Sequence, residues 1–323
     1  VFAKTPIRDS GLLDVGEGQQ VYWEESGRPD GIPALYLHGG PGGTLGPGGY
    51  VTKFDPERFR IIGIDQRGCG RSAPLAIEPD HDLEANTTAA LIKDCEQLRD
   101  HLGIDRWVIN GVSWGSTLAL AYAQAHPDRI LGVVLMAVTS TRRWEVDWIT
   151  EQIGVVFPEA WDRFAAHAER AGIGYRRHES RIVEAYAILI RDPDPAVRDS
   201  AALAWAEWED HHVSLVEGLH RDPRWDDQLF RQVFVTLATH YWSHDGFCDP
   251  PILDRMERLA GIPGYLIHGR ADVSGPLITA WELQRRWPGS ELIIDEGEGH
   301  GGARMVDAWA DANTRLADRI ETF

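Results

Sequence analysis

A chain of 323 residues is long enough to bury a sizeable core, as one large domain or as a domain carrying an insertion. Hydrophobic residues make up 43% and charged residues 25%, ordinary for a globular protein, and a net charge of -18 argues against nucleic acid or an anionic membrane surface as partner. No apolar run is long enough to cross a bilayer, and Val1-Phe2-Ala3-Lys4-Thr5-Pro6 lacks a signal-type apolar region, although an opening without Met leaves room for a removed leader. Cys69, Cys95 and Cys248 are widely spaced and form no metal-ligand pattern, so reduced thiols in a cytoplasmic protein are the expectation.

In chain order, Gly11-Leu12-Leu13-Asp14-Val15 and Gln20-Val21-Tyr22-Trp23-Glu24-Glu25-Ser26-Gly27 alternate apolar and polar residues around Gly16-Glu17-Gly18, the pattern of an antiparallel hairpin. Two short apolar runs follow. Ala34-Leu35-Tyr36-Leu37 ends in His38-Gly39-Gly40-Pro41-Gly42-Gly43, and Arg60-Ile61-Ile62-Gly63-Ile64-Asp65 ends in Gln66-Arg67-Gly68-Cys69-Gly70-Arg71-Ser72. Between Thr87 and Leu102 apolar residues recur at helical spacing (Leu91, Ile92, Cys95, Leu98, Leu102). Further buried strands are expected at Trp107-Val108-Ile109 and Leu131 to Met136, then at Gly264 to Gly269 and Ser290 to Ile294, with a last amphipathic helix from about Met305 to Ile320. Short apolar strands alternating with helices indicate a parallel sheet covered on both faces.

From about Thr141 to Pro250 the strand pattern disappears. Helix-like segments rich in Trp, Arg and Glu replace it: Trp144 to Phe157, Trp161 to Ala171, Ser180 to Arg191, Pro195 to Asp210 and Trp225 to Thr239, with Asp192-Pro193-Asp194-Pro195 breaking two of them apart. The expected organisation is an α/β core in two parts, 1–140 and 251–323, interrupted by a helical cap at 141–250.

The chemistry centres on Gly111-Val112-Ser113-Trp114-Gly115, a G-x-S-x-G between an apolar strand and an apolar helix. That context makes the pattern a nucleophile elbow, where small neighbours let strand and helix pass closely while the serine is held in a strained turn. A serine hydroxyl needs a base, and the base an orienting acid. In α/β-hydrolases these follow in the order Ser, acid, His on loops after late strands. Asp272, after the strand ending at His268-Gly269, and His300, after Leu292-Ile293-Ile294, fall on such loops; Asp295, Glu296 and Glu298 are less well placed, and His268 is expected to be structural. The oxyanion requires two N–H donors. Trp114, next to the nucleophile, is one; the glycine turn after Leu37 supplies the other, with Gly40 the first choice and Gly39 the second. Neither G-x-G-x-x-G nor a P-loop Lys-Ser/Thr is present, which disfavours phosphate cradling.

Taken together, His38-Gly39-Gly40-Pro41-Gly42, Asp65 to Ser72, Ser113 to Leu118, Gly269-Arg270-Ala271-Asp272 and Gly299-His300 resemble the proline iminopeptidase family of α/β-hydrolases over most of the chain, more weakly in the cap. The resemblance implies release of an N-terminal residue, typically proline, from small peptides or amides, without metal or organic cofactor; a monomer or small homo-oligomer is the expected state. Members of this family use cap glutamates to hold the substrate amine. Trp208-Glu209 resembles the first of these, so Glu209 is implied as the amine ligand, with Gly39, Trp208 and Tyr241 as further substrate contacts. The second family glutamate is expected just before His240-Tyr241, where this chain has Ala238. That departure either weakens amine binding or calls for another acid, such as Glu207 or Asp245. Trp144, Trp148, Trp205, Trp208 and Trp242 are candidates for a proline-sized slot, with packing of the cap core as the alternative for each.

Two rivals remain open at this stage. An esterase, amidase or lactonase of the same fold, with no free-amine requirement, is favoured by Ala238. A catalytically silent small-ligand binder is disfavoured by the intact Ser113, Asp272 and His300. An epoxide hydrolase or dehalogenase would want an aspartate at the elbow.

Overall fold

The structure is a computed structural model that describes residues 1–213, 215–216 and 218–322. Its centre is an eight-stranded sheet in the order β1-β2-β4-β3-β5-β6-β7-β8. The strands are β1 (Ile7–Gly16), β2 (Gln19–Gly27), β3 (Ile32–Leu37), β4 (Phe59–Asp65), β5 (Trp107–Val112), β6 (Ile130–Met136), β7 (Gly264–Gly269) and β8 (Ser290–Asp295). The hairpin β1-β2 forms as expected and joins β4 antiparallel; from β4 to β8 every pairing is parallel.

The central strands are apolar throughout because both faces are covered. Along β6, Val133 and Leu135 enter one core while Val134 and Met136 enter the other. The first core holds α1 (Thr88–His101), α2 (Trp114–Ala125) and α8 (Ile278–Arg285) through Leu98, Leu120 and Leu283. The second holds α9 (Ala303–Glu321) through Trp309 and Leu316. A polar bolt fixes α9 in place: Asn110 Oδ1 on β5 accepts from the Trp309 indole and, at 2.9 Å, from Asn313 Nδ2.

Between β6 and β7 lie α3 (Arg143–Thr150), α4 (Pro158–Arg170), α5 (Ile182–Leu189), α6 (Pro195–Val213) and α7 (Gln228–Ser243). These match the helical segments expected between Trp144 and Thr239, with boundaries moved by capping. Asp227 accepts from Phe230 N at 3.1 Å, starting α7 after the 3-10 turn Pro223–Asp226 and not at Trp225. The expected helix from Trp144 to Phe157 is α3 followed by the 3-10 turn Gln152–Val155. Helix α8 and the 3-10 segment Ile252–Leu259 were not expected from the pattern. Phe323, the last residue of the expected second core segment, lies outside the described residues.

Candidate active site

The elbow is built as its steric logic requires. Ser113 sits at φ 53° and ψ −124°, a left-handed conformation that costs a non-glycine residue about 1–3 kcal/mol, between β5 and the first turn of α2. A Cβ on Gly111 would lie 2.3 Å from the Gly115 carbonyl oxygen, and one on Gly115 would lie 2.1 Å from that of Leu37. The glycines of G-x-S-x-G are therefore dictated by contact of the helix start with its own strand and with β3.

Sequence positions far apart converge on the serine. Ser113 Oγ donates to His300 Nε2 at 3.0 Å, and His300 Nδ1 donates to the Asp272 carboxylate at 2.9 and 3.1 Å. Asp272 follows β7 and His300 follows β8. The two loops approach because Gly269 has no side chain: a Cβ there would fall 2.2 Å from the Gly299 carbonyl oxygen. Asp272 is also held by Gly275 N–H at 2.9 Å. Burial works against its charge, but His300 beside it, with His268 and the Gly275 N–H, holds its carboxyl below the ordinary value. For His300 burial likewise opposes the cation, and the Asp272 carboxylate overrides it, raising the imidazole above 6.5. His268 is structural, as expected. Its Nδ1 accepts from Val138 N–H at 3.0 Å and its Nε2 donates to the Gly275 carbonyl at 2.7 Å.

The glycine turn lies against the nucleophile. A Cβ on Gly39 would stand 3.3 Å from Ser113 Cβ, and Gly40 adopts φ 120°, where a side chain would press within 2.6 Å of the Gly42 and Gly43 nitrogens. Trp114 opens α2, so its N–H belongs to the helix turn that has no partner within the helix.

Two cavities meet at Ser113, His300, Gly40, Glu209 and Val213. The smaller, of about 50 Å³, runs under the cap past Thr139, Glu145, Trp242 and Gly275. The larger, of about 690 Å³, opens toward Leu75, Arg224, Phe230 and Phe234. Glu209 on α6 is buried at the junction, its Oε2 accepting from the Trp205 indole at 3.2 Å and its Oε1 standing 3.6 Å from Arg224. Burial pushes its carboxyl above 4.5, offset in part by Arg224 and the Trp205 bond.

Other expected contacts fall elsewhere. Trp208, on the same helix, lies in the cap core, donating to the Ile149 carbonyl at 3.0 Å and stacking on Phe164; it lines neither cavity beside Ser113. Tyr241 packs behind the site against Trp114, ring centroids 4.7 Å apart, with its hydroxyl bonded to Asn86. Of the five tryptophans considered for the slot, Trp242 lines the small cavity. Glu207 is exposed and pairs with Arg163, while Asp245 pairs with Arg181, so neither replaces the acid absent at Ala238. Sequence reasoning missed Glu145 and His212. Glu145, on α3, is buried, lines the small cavity and is tied to Ser140 and Arg142; burial raises its carboxyl. His212 is pushed down to about 3 by burial and by His300, so it stays neutral. A lone Glu in Arg-Arg-Trp-Glu and a His-His pair at a helix end carry no sequence signal of their own.

A family model for the alpha/beta hydrolase fold matches residues 33–302. A probable proline iminopeptidase of Streptomyces coelicolor is 43% identical over 304 residues, covering 93% of this chain and 92% of the relative. The proline iminopeptidase of Neisseria gonorrhoeae is 39% identical over 319 residues, covering 96% and 97%. The crystal structure of a proline iminopeptidase from Mycobacterium smegmatis superposes with a TM-score of 0.67 at 18% identity, over 97% of this chain and 100% of that one, a likeness of fold. By sequence, over nearly its whole length, the chain belongs to the proline iminopeptidase family of α/β-hydrolases.

Proposed function

We propose that this protein releases an N-terminal residue, proline first, from short peptides and amides, with Ser113 as nucleophile, His300 as base and acid, and Asp272 as its orienting partner. One observation carries the reading: the Ser113-His300-Asp272 relay opens onto a small cavity under the cap, with the buried carboxyl group of Glu209 where it meets the larger one. In the first step Ser113 Oγ bonds to the scissile carbonyl carbon while its proton passes to His300 Nε2. The oxyanion rests on the N–H groups of Trp114 and Gly40, with Gly39 keeping the turn against the serine. The C–N bond breaks as His300 returns the proton to the leaving amine. Water, deprotonated by His300, then cleaves the acyl-serine ester, and the proton goes back to Ser113. Glu209 receives the substrate ammonium, and Glu145, lining the same cavity, is the second acid there in place of the one absent at Ala238. Trp208 and Tyr241 support this wall from behind.

The division into a core, 1–140 and 251–323, and a cap, 141–250, is part of the same reading. It is supported by strands that stop at Met136 and resume at Gly264, with helices α3 to α7 between them. No helix among the described residues is long and apolar enough to cross a membrane, and the three free cysteines support a reducing, cytoplasmic setting.

The test is kcat/KM on proline p-nitroanilide, its N-acetylated analogue and a p-nitrophenyl ester. Strong preference for the free amine, abolished in Ser113→Ala, is the expected result. Indifference to acetylation with the ester dominant would replace the aminopeptidase by an esterase.

A further inference from the structure

Among the described residues lining the two cavities, Arg224 is the one arginine or lysine. Its guanidinium lies 4.1 Å from the Trp225 ring centroid and 5.1 Å from that of Phe234, so a flat cation that lines the large cavity is laid against two aromatic rings, Phe234 being in the cavity wall as well. Two of its nitrogens are used differently. Nε stands 3.1 Å from Asp222 Oδ2, while Nη2 stands 3.6 Å from Glu209 Oε1, longer than a hydrogen bond. The other acids of this wall are engaged: Asp222 also accepts from Arg224 N–H at 2.9 Å, and Asp227 caps α7.

A ligand ammonium that takes Glu209 strips the Nη edge of Arg224 of its loose partner and leaves a cation facing the cavity. We infer that Arg224 binds the C-terminal carboxylate of the peptide being cleaved, making a free C-terminus on a dipeptide or tripeptide a specificity element. This rests on Glu209 holding the substrate amine. Peptide length follows from reach. An extended chain covers at most about 3.5 Å per residue. An ammonium on Glu209 and a carboxylate on Arg224, side chains that stand 3.6 Å apart, are therefore met together by an extended peptide of two or three residues. Such a substrate replaces the resident Glu209-Arg224 contact by two closer ion pairs of opposite polarity. A longer peptide bound in extended form carries its carboxylate past Arg224.

The experiment compares kcat/KM for prolyl-glycine with that for its C-terminal amide, in the wild-type enzyme and in Arg224→Gln and Arg224→Lys, with proline p-nitroanilide as reference. The wild type is expected to prefer the free carboxylate about tenfold or more, the scale of a charge-assisted hydrogen bond. In Arg224→Gln that ratio falls to about one, whatever happens to both rates through Glu209, and Arg224→Lys keeps part of it. A wild-type ratio at or below one, or the same ratio in Arg224→Gln, overturns the assignment. Failure of the wild type to cleave proline p-nitroanilide strikes the aminopeptidase reading instead, so the two outcomes are distinguishable.

Discussion

Gln66 Oε1 accepts the Trp114 indole N–H at 2.9 Å, and the same amide donates to the His38 carbonyl at 2.9 Å. One side chain from the loop after β4 thus ties together the two segments that carry the proposed oxyanion donors. His38 completes the lock: its Nε2 accepts Gln66 N–H at 3.0 Å and its Nδ1 donates to the Gly39 carbonyl at 2.9 Å. Gln66→Leu is expected to lower kcat roughly 10- to 100-fold with little change in KM, because donor placement matters most in the transition state. A kcat within twofold of wild type would show that the turn holds its shape without Gln66.

Gly115→Ala forces a methyl group against the Leu37 carbonyl, which is backbone and has nowhere to go. A loss of about 3 kcal/mol in unfolding free energy is expected, at the upper end of overpacking costs. Equilibrium denaturation in urea measures it, and a loss under 1 kcal/mol would mean that strand and helix can separate.

The acid limb of activity follows from His300, the proposed base. It acts as base only when neutral, and its pKa in the folded protein is raised above 6.5 by Asp272. The logarithm of kcat/KM should therefore fall with unit slope as pH drops through a midpoint above 6.5. Asp272→Asn removes the raising charge, so the midpoint moves down while the plateau falls about 10³–10⁴-fold. An unmoved midpoint in that variant would assign the limb to another group.

Glu209 combines function with a stability cost. Its pKa is raised above 4.5 by burial, so its ionised form is disfavoured in the folded protein at pH values above 4.5, and the penalty disappears below it. Glu209→Gln is expected to raise Tm by about 1–3 °C at neutral pH. It should lower kcat/KM for free-amine substrates roughly 10- to 100-fold and leave an N-acetylated or ester substrate nearly unaffected. A Tm difference that persists unchanged at pH 4 would sink the electrostatic explanation.

Cys69 touches the site from behind, its Sγ 3.7 Å from His38 Nε2, yet it is fully buried and burial pushes its thiol well up. Cys95 is equally buried, and Cys248, half-buried, is pushed up to about 11. The native enzyme should keep its activity through iodoacetamide treatment that labels all three thiols after unfolding. Loss of activity in step with labelling of Cys69 would show that the glycine turn opens in solution.

Strand, elbow and relay order were legible because each rests on local chemistry: unbroken apolar runs such as Val133-Val134-Leu135, small residues flanking Ser113, and loop positions for Asp272 and His300 directly after β7 and β8. The cap resisted the same reading. Trp205 and Trp208 stand three residues apart on α6 and both pack on Phe164, but Trp205 bonds Glu209 while Trp208 bonds the Ile149 carbonyl, and composition cannot distinguish them. The same limit hid Glu145 and Arg224, whose importance comes entirely from which cavity they line.

The sequence by itself determined the parallel core, the loop positions of the proposed reacting groups and the turn that strains Ser113, since these depend on neighbours within a few positions. Only tertiary structure decided what surrounds the reacting atoms. Glu209, Arg224 and His300 come from three separate stretches, and their mutual fields exist only where the cap packs over the sheet, where low dielectric lets a few ångströms set which charges pair.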